Sequence, residues 1–499
     1  MTETAGTTAG SVPGDEDSLL QRLCNEARWG LAATRASILE AAHPQIGAAL
    51  IDHSTFVVHP WRRLRNTVVS TQRIVSGDER VRDKETARLN RLHSRISGTD
   101  AQGRPYDAMD PEARAWVVAT LFESTVMMCR LGGEPLDQAA QEQLYAEFRA
   151  FLGHMDADGG RLPDTLAEFW PYYEKTIAEG LENTQAVHAV LYRLFAEVPA
   201  PPLLRDHPAT WAAVRALAGP LATAITVASL PESYRRQAYL TALPGARVLM
   251  HGAYLTAGLA TRWLPSSWTR TEVLLDALNL DPPAGQGSPV VESLRDHAGK
   301  VGALLRLITP VPARPGPGGS ARPGRPGRSG RSGRSGSDGS ARRSAERFFA
   351  QVLDQTGDGY LDWPDLAAMA REIATRLDLD GPAEDRLFAA YAAWWEELRT
   401  TLDADGDGRI DAHEYATATT LAGRALIEIA DVLFDATDTD GSQTISPEEY
   451  RALFRTTFDH DPAAAAPADL SRSAFTREFL AFMAGRHHSA AYENLLTQT

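Results

Sequence analysis

Residues 312–343, PARPGPGGSARPGRPGRSGRSGRSGSDGSARR, constrain the whole chain. Pro, Gly, Ser and Arg alternate there with no apolar side chain larger than alanine, so the stretch has nothing with which to build a core. It predicts a flexible linker, and a chain of 499 residues built as more than one globular part. The expected division is a disordered lead over 1–17, a first domain over 18–311, the linker over 312–343 and a second domain over 344–499. The linker's eight arginines and one aspartate read as a solvated spacer, with contact to an anionic surface or to the acidic second domain as alternatives. Such exposed contacts weaken in salt.

Charge separates the two parts. The chain carries −15, yet from Ser344 onward 29 acidic side chains face 12 basic ones and lysine is absent, a net −17. Nucleic acid is therefore not expected as a partner of the second part. A hydrophobic fraction of 43% and a charged fraction of 23% are those of a globular protein. Cys24 and Cys129 lie far apart, which excludes a disulfide framework and fits a reducing, cytoplasmic setting. The N-terminus lacks the basic-then-apolar order of a signal peptide. The best membrane-spanning candidate, 217–230, reads as too short and as broken by Gly219 and Pro220. Contact with a membrane surface finds no support at this level, and oligomeric state is not legible.

The second part holds three twelve-residue loops between helical patterns. A hard cation such as Ca²⁺ takes oxygen ligands from loop positions 1, 3, 5, 7, 9 and 12, with glycine at position 6 for the turn. Asp403–Glu414 (DADGDGRIDAHE) supplies Asp403, Asp405, Asp407, the Arg409 carbonyl, Asp411 and Glu414, with Gly408 at the turn and Ile410 at position 8. Asp354–Asp365 supplies Asp354, Thr356, Asp358, the Tyr360 carbonyl, Asp362 and Asp365. Its last ligand is one methylene short, so weaker calcium binding or tolerance of magnesium is expected. Asp438–Glu449 supplies Asp438, Asp440, Ser442, the Thr444 carbonyl, Ser446 and Glu449. Gln443 stands at its turn position, at a cost of roughly 1–2 kcal/mol if left-handed. A fourth repeat over 463–474 keeps Leu470 and Phe475 but has lost its ligands, and is expected to pair with the third.

The first part reads as all-α. Helical spacing runs over Leu19–Ala42, then a break at Pro44, a short helix over 45–52, and one from Pro60 to about Ile74. A charged helix follows and carries His93. Asp110 caps a helix that Pro111 begins, apolar on nearly every side apart from Glu123 and so suited to the centre of a bundle. Further helices are expected near 137–153, 164–179, 182–197, 208–229, 231–242, 246–262 and 289–308. Phe169, Trp170, Tyr172 and Tyr173, like His188 and His251, read as helix packing rather than as a cavity lining. His43, His53, His59 and His93 cluster within 42–98, and Arg63 and Thr67, four apart, share a helix face.

The order AHP, DHS, PWRRLRNT, RLHSRISGT, then GRPYDAMDPEARAWVVATLFES and LPESYRRQAYLTALPGARVLMHGAYLTAGLATRWLP, resembles the MpaB-type oxygenases, which include the latex-clearing rubber oxygenases. The likeness covers about 18–275. It implies an all-helical domain holding haem b and adding dioxygen across an apolar alkene, isoprenoid in kind. It assigns His93 to the proximal haem ligand and Arg63 and Thr67 to the haem pocket, with His43 a further cofactor-side candidate. Asn66 occupies the position of the rubber oxygenases' distal lysine, and an amide cannot replace an amine ligand. The second part resembles the calerythrin and sarcoplasmic calcium-binding proteins, in FFAQVLDQTGDGYL and in AAYAAWWEELRTTLDADGDGRIDAHEY. Its two methionines, Met369 and Met483, argue against a Met-rich target groove. The expected function is a calcium-binding, haem-dependent oxygenase. A non-catalytic calcium buffer or scaffold, and a peroxide-dependent haem enzyme, are the alternatives.

Overall fold

A computed structural model describes residues 18–53, 59–155, 162–201, 207–278, 345–417, 423–458 and 469–483, with Phe56 and Leu204. The expected lead, linker and helix near 289–308 lie outside the described residues. The chain divides into two compact units, the first drawn from Met1–Ile51 and Trp61–Ala298, the second from Asp52–Pro60 and Gly299–Thr499. The described residues are predominantly helical, as expected.

In the first unit the helices are α1 Leu19–Cys24, α2 Trp29–Ala41, α3 Pro44–His53, α4 Pro60–Ser76 and α5 Glu79–His93. Strands β1 Ser97–Thr99 and β2 Pro105–Asp107 follow. Then come α6 Pro111–Leu131, α7 Gln138–Met155, α8 Leu166–Gly180, α9 Gln185–His188, a π-helical turn Ala189–Leu194 and α10 Phe195–Glu197. The unit closes with α11 Pro208–Ser229, α12 Glu232–Gln237, α13 Ala246–Trp263, α14 Ser266–Thr269 and α15 Thr271–Leu278.

Helix α6 lies at the centre, as its apolar circumference predicts, and α2 packs along it. The Asp110 carboxylate accepts from the Glu112 and Ala113 amides, which fixes its start. Trp116 Nε1 donates to the Leu39 carbonyl at 2.9 Å, and Trp29 Nε1 to Thr125 Oγ1 at 3.2 Å. Between the two helices Arg35 and Glu123 form a buried ion pair. Arg35 also donates to the Ser229 carbonyl and to Ser124 Oγ at 2.9 Å, and the Tyr173 hydroxyl donates to Glu123 at 2.9 Å. A buried charge pair is tolerable only when its remaining hydrogen-bonding sites are met, and here they are. Phe169 and Tyr173 are core residues, stacked with each other and, through Tyr173, on Trp116 at 5.4 Å. At the other face α13 seats on the end of α6: a Cβ on Gly258 would lie 2.2 Å from the Gly132 carbonyl oxygen.

Four local expectations need correction. The helix expected over Leu19–Ala42 is interrupted at 25–28, because the returning chain supplies competing partners: the Ala27 amide donates to the Thr269 carbonyl at 2.7 Å and the Thr271 amide to the Asn25 carbonyl at 2.9 Å. The helix expected over 231–242 stops at Gln237, and Tyr239 turns left-handed with φ 57°. Helix α11 runs unbroken through Gly219 and Pro220, where the absent Cβ admits the Phe195 carbonyl and Thr223 Oγ1 donates to the Leu191 carbonyl at 2.9 Å. His188 and His251 are exposed rather than packed.

The second unit begins with a helical turn ending in π-helical Phe349–Leu353. It continues through β3 Tyr360–Leu361, α16 Trp363–Arg376, α17 Gly381–Leu402, β4 Ile410–Asp411, α18 Ala412–Thr417 and α19 Arg424–Thr437. It ends with β5 Thr444–Ile445, α20 Pro447–Phe458, β6 Leu470–Ser471 and α21 Arg472–Met483. Strands β3 and β4 pair antiparallel with Leu361 opposite Ile410, and β5 pairs with β6 with Ile445 opposite Leu470. The ligand-poor fourth repeat thus pairs with the third, as its Leu470 predicts. Aromatic and aliphatic side chains from all four repeats, among them Phe349, Trp394, Phe434 and Phe482, share one core.

Candidate functional site

The calcium loops are built by their own carboxylates. In the second loop Asp403 accepts from the Gly406 and Gly408 amides at 2.7 and 3.1 Å, and Glu414 accepts from the Ala404 and Asp411 amides at 2.8 and 3.0 Å. Gly408 is left-handed at φ 83°, as position 6 requires. The third loop repeats the pattern: Asp438 accepts from Ser442 and Gln443, and Glu449 from Thr439 and Ser446. Gln443 adopts φ 64°, the left-handed conformation expected to carry a cost there. Burial opposes ionisation of Glu449, but the Ser446 and Thr439 bonds together outweigh it and hold its carboxyl down at about 2.

Among the described residues, carboxylate oxygens converge within 4.8 Å in two sets, Asp403 with Asp405 and Glu414, and Asp438 with Asp440 and Glu449. These donors fit a hard divalent cation. The first loop differs. Asp365 is fully buried and accepts from the Thr356 and Asp362 amides at 2.8 and 2.9 Å, and burial pushes its carboxyl up to about 7. Its burial sets it apart, since Glu414 and Glu449 accept loop amides too but are only half-buried. Between the first two loops Arg409 lies 3.8 Å from Asp358 and over the Tyr360 ring.

The second cluster lies in the first unit. Pro60 opens α4, and Arg63 and Thr67 share a face of it as their spacing predicts. Thr67 Oγ1 donates to the Arg63 carbonyl at 2.9 Å. Both side chains are exposed and Asn66 is half-buried. Helices α4 and α5 form an antiparallel hairpin. Ser70 Oγ donates to Glu85 Oε1 at 2.6 Å, Arg73 to Glu85 Oε2 at 3.2 Å, and Arg82 Nε to the Ile74 carbonyl at 3.0 Å. Arg88 completes the cluster around Glu85. Burial alone would raise the Glu85 carboxyl, but Arg88, Ser70 and Arg73 outweigh it and hold the group near 2.

This hairpin sets the register of the predicted residues. From the Ser70–Glu85 contact, Arg63 lies seven residues back along α4 and His93 eight residues forward along α5. At about 1.5 Å per residue, each lies roughly 10–12 Å along its helix from that contact, on the side away from the turn. His93 is half-buried with its Nδ1 covered.

Sequence reasoning missed Glu40. It lies at the end of α2, where Thr120 Oγ1 donates to it at 3.3 Å. Burial pushes its carboxyl up to about 7, against the Thr120 bond and the charge of Arg63, which both favour the carboxylate. The available signal was the lone acid of α2, three residues before His43. At His43, burial lowers the imidazole pKa against the pull of Asp110, Glu112 and Glu182, and Nδ1 is buried with no hydrogen-bond partner among the described residues. A buried, neutral imidazole nitrogen and a His at a helix end fit the donor chemistry that haem iron takes.

Fold and sites together define a class: an all-helical domain joined to a domain of paired calcium-type loops. Comparison makes it particular. Residues 22–263 match the family of the ER-bound oxygenase MpaB/B′ and rubber oxygenase catalytic domain, and residues 401–417 match the EF-hand family. The chain therefore carries a region that matches the MpaB/rubber-oxygenase catalytic domain, followed by one that matches an EF-hand. Uncharacterized proteins of Mycobacterium bovis and Mycobacterium tuberculosis are each 24% identical over 149 residues, 29% of this chain. The chain spans 58% of the length of these curated relatives.

Proposed function

We propose that the first unit is a haem-dependent oxygenase acting on an apolar alkene, isoprenoid in kind, with dioxygen as co-substrate, and that the second unit binds calcium. The observation carrying this reading is the match of residues 22–263 to the MpaB/rubber-oxygenase catalytic domain, with the charge of Arg63 reaching the buried carboxyl of Glu40. Haem b, held by His93, would supply the iron at which dioxygen reacts. Around it the chain's own groups have separate tasks. Arg63 stabilises negative charge, and Thr67 ties its hydroxyl to the same turn of α4. Glu40, with a carboxyl near 7, holds or releases a proton at neutral pH. His43 stays neutral and offers a second imidazole nitrogen to the pocket. Asn66 offers an amide where the rubber oxygenases have an amine, so this chain's distal side differs from theirs.

The test is an absorption spectrum of protein purified from haem-supplemented cells. A Soret band is expected, and His93→Ala should abolish it while far-ultraviolet circular dichroism stays unchanged. A Soret band unaltered by His93→Ala overturns the assignment. Dioxygen uptake on adding a test alkene, without peroxide, separates an oxygenase from a peroxide-dependent enzyme.

A further inference from the structure

Sixteen large apolar side chains are exposed among the described residues, and thirteen of them lie between Tyr192 and Trp268. Helix α13 explains the concentration. It buries Ala246, Met250, Tyr254 and Gly258, one stripe at helical spacing, against the core. The rest of its circumference exposes Val248, Leu255 and Leu259 where a surface helix would carry charge. Helix α11, which packs against α13, does the same over its first half with Val214, Leu217 and Leu221. Val248 is 75% exposed and Leu217 71%. Exposed aromatics stand at the ends of this apolar surface: Tyr239 before α13, Trp263 at its last residue and Trp268 in α14.

Charge identifies the occupant. Between His207 and Thr271 the sequence holds six arginines and one glutamate, in a chain whose net charge is −15. Arg236, Arg247, Arg262 and Arg270 are exposed, and Arg262 lies over the Trp263 ring. An apolar face edged by aromatic side chains and arginines matches the acyl, interfacial and headgroup layers of an anionic bilayer. A second copy of the chain would bring two such basic edges together, which is unfavourable. Helix α11 is long and apolar enough to cross a membrane, yet Ala224 and Thr226–Ser229 are buried in the unit's core, so the helix is not free to span.

We infer that the α11–α13 face docks in the plane of an anionic membrane surface, its leucines and valines entering the acyl boundary and its arginines meeting lipid phosphates. This stands apart from the haem reading and survives or fails without it.

The test is co-sedimentation of the full chain with phosphatidylcholine vesicles, with and without phosphatidylglycerol. Binding to the phosphatidylglycerol vesicles is expected to exceed binding to phosphatidylcholine alone and to fall with salt. Leu217→Glu with Val248→Glu should weaken it by about tenfold or more, since each loses a buried apolar side chain. Both sites are exposed, so melting temperature should hold. The inference is overturned if wild type stays in the supernatant with both vesicles, or if the double variant sediments as wild type does. Equal uptake by both vesicles overturns the anionic preference. A dimer seen by sedimentation velocity, dissolved by Val248→Glu and without vesicle uptake, assigns the face to self-association instead.

Discussion

Glu40 holds its proton more tightly folded than unfolded, and the sign of its effect on stability follows. Its carboxyl titrates near 7 in the fold against an ordinary 4.5. Below 4.5 both states are protonated and nothing is lost. As pH rises through the interval the unfolded chain releases the proton first, so stability falls until the folded group also ionises. In haem-free protein Glu40→Gln should therefore be neutral in acid and stabilise by up to about 3 kcal/mol above neutrality, read from urea unfolding at several pH values. Gln443 carries a different strain, a side chain in left-handed backbone. Gln443→Gly should tighten calcium at the third loop by about 1 kcal/mol, roughly fivefold in Kd by titration calorimetry. These two residues differ in legibility. A fixed twelve-residue spacing names each calcium ligand and exposes Gln443 as a departure. No spacing rule marks Glu40, whose environment is assembled from α2, α4 and α6.

At the scale of elements the α4–α5 hairpin depends on one carboxylate. Glu85 sits among Ser70, Arg73 and Arg88, and removing it leaves buried Arg88 without that partner. Glu85→Ala should cost about 3 kcal/mol and blunt any haem spectrum, since Glu85 ties α4 to the helix that carries His93. Its pH signature is opposite to that of Glu40. With a folded pKa near 2, its contribution is complete above 4.5 and is lost as pH falls toward 2. Some helix starts carry caps, where Asp78, Asp110, Thr165 and Asp380 each accept an amide at the first turn, and Asp110 before Pro111 was legible as one. The break at 25–28 was not, because its partners at 269–271 lie more than two hundred residues away. The ribbon of β1 and β2 was equally hidden, since Ser97, Gly98 and Thr99 offer no apolar alternation.

At the scale of the whole molecule, calcium acts on the folded second unit through mass action. At a hundredfold excess over Kd it should add about 2.7 kcal/mol per independent site, seen as a rise in Tm that a chelator reverses. The composition shift at Ser344 made the two parts visible in the sequence, and the loop spacing made the second part's chemistry visible with them. The outward face of α13 was invisible because a leucine in a helix reads as core until the fold shows which side is covered. One pairing has a further consequence for the calcium response. The third loop shares its strand ladder with a repeat that has no ligands, so its occupancy should follow a simple hyperbola in calcium. The first two loops share β3 and β4 and touch through Arg409 and Asp358, so filling one adjusts the other. The same domain thus sets a site that should fill independently beside a pair whose strands are shared, a difference a calcium titration would read in the slope of each phase.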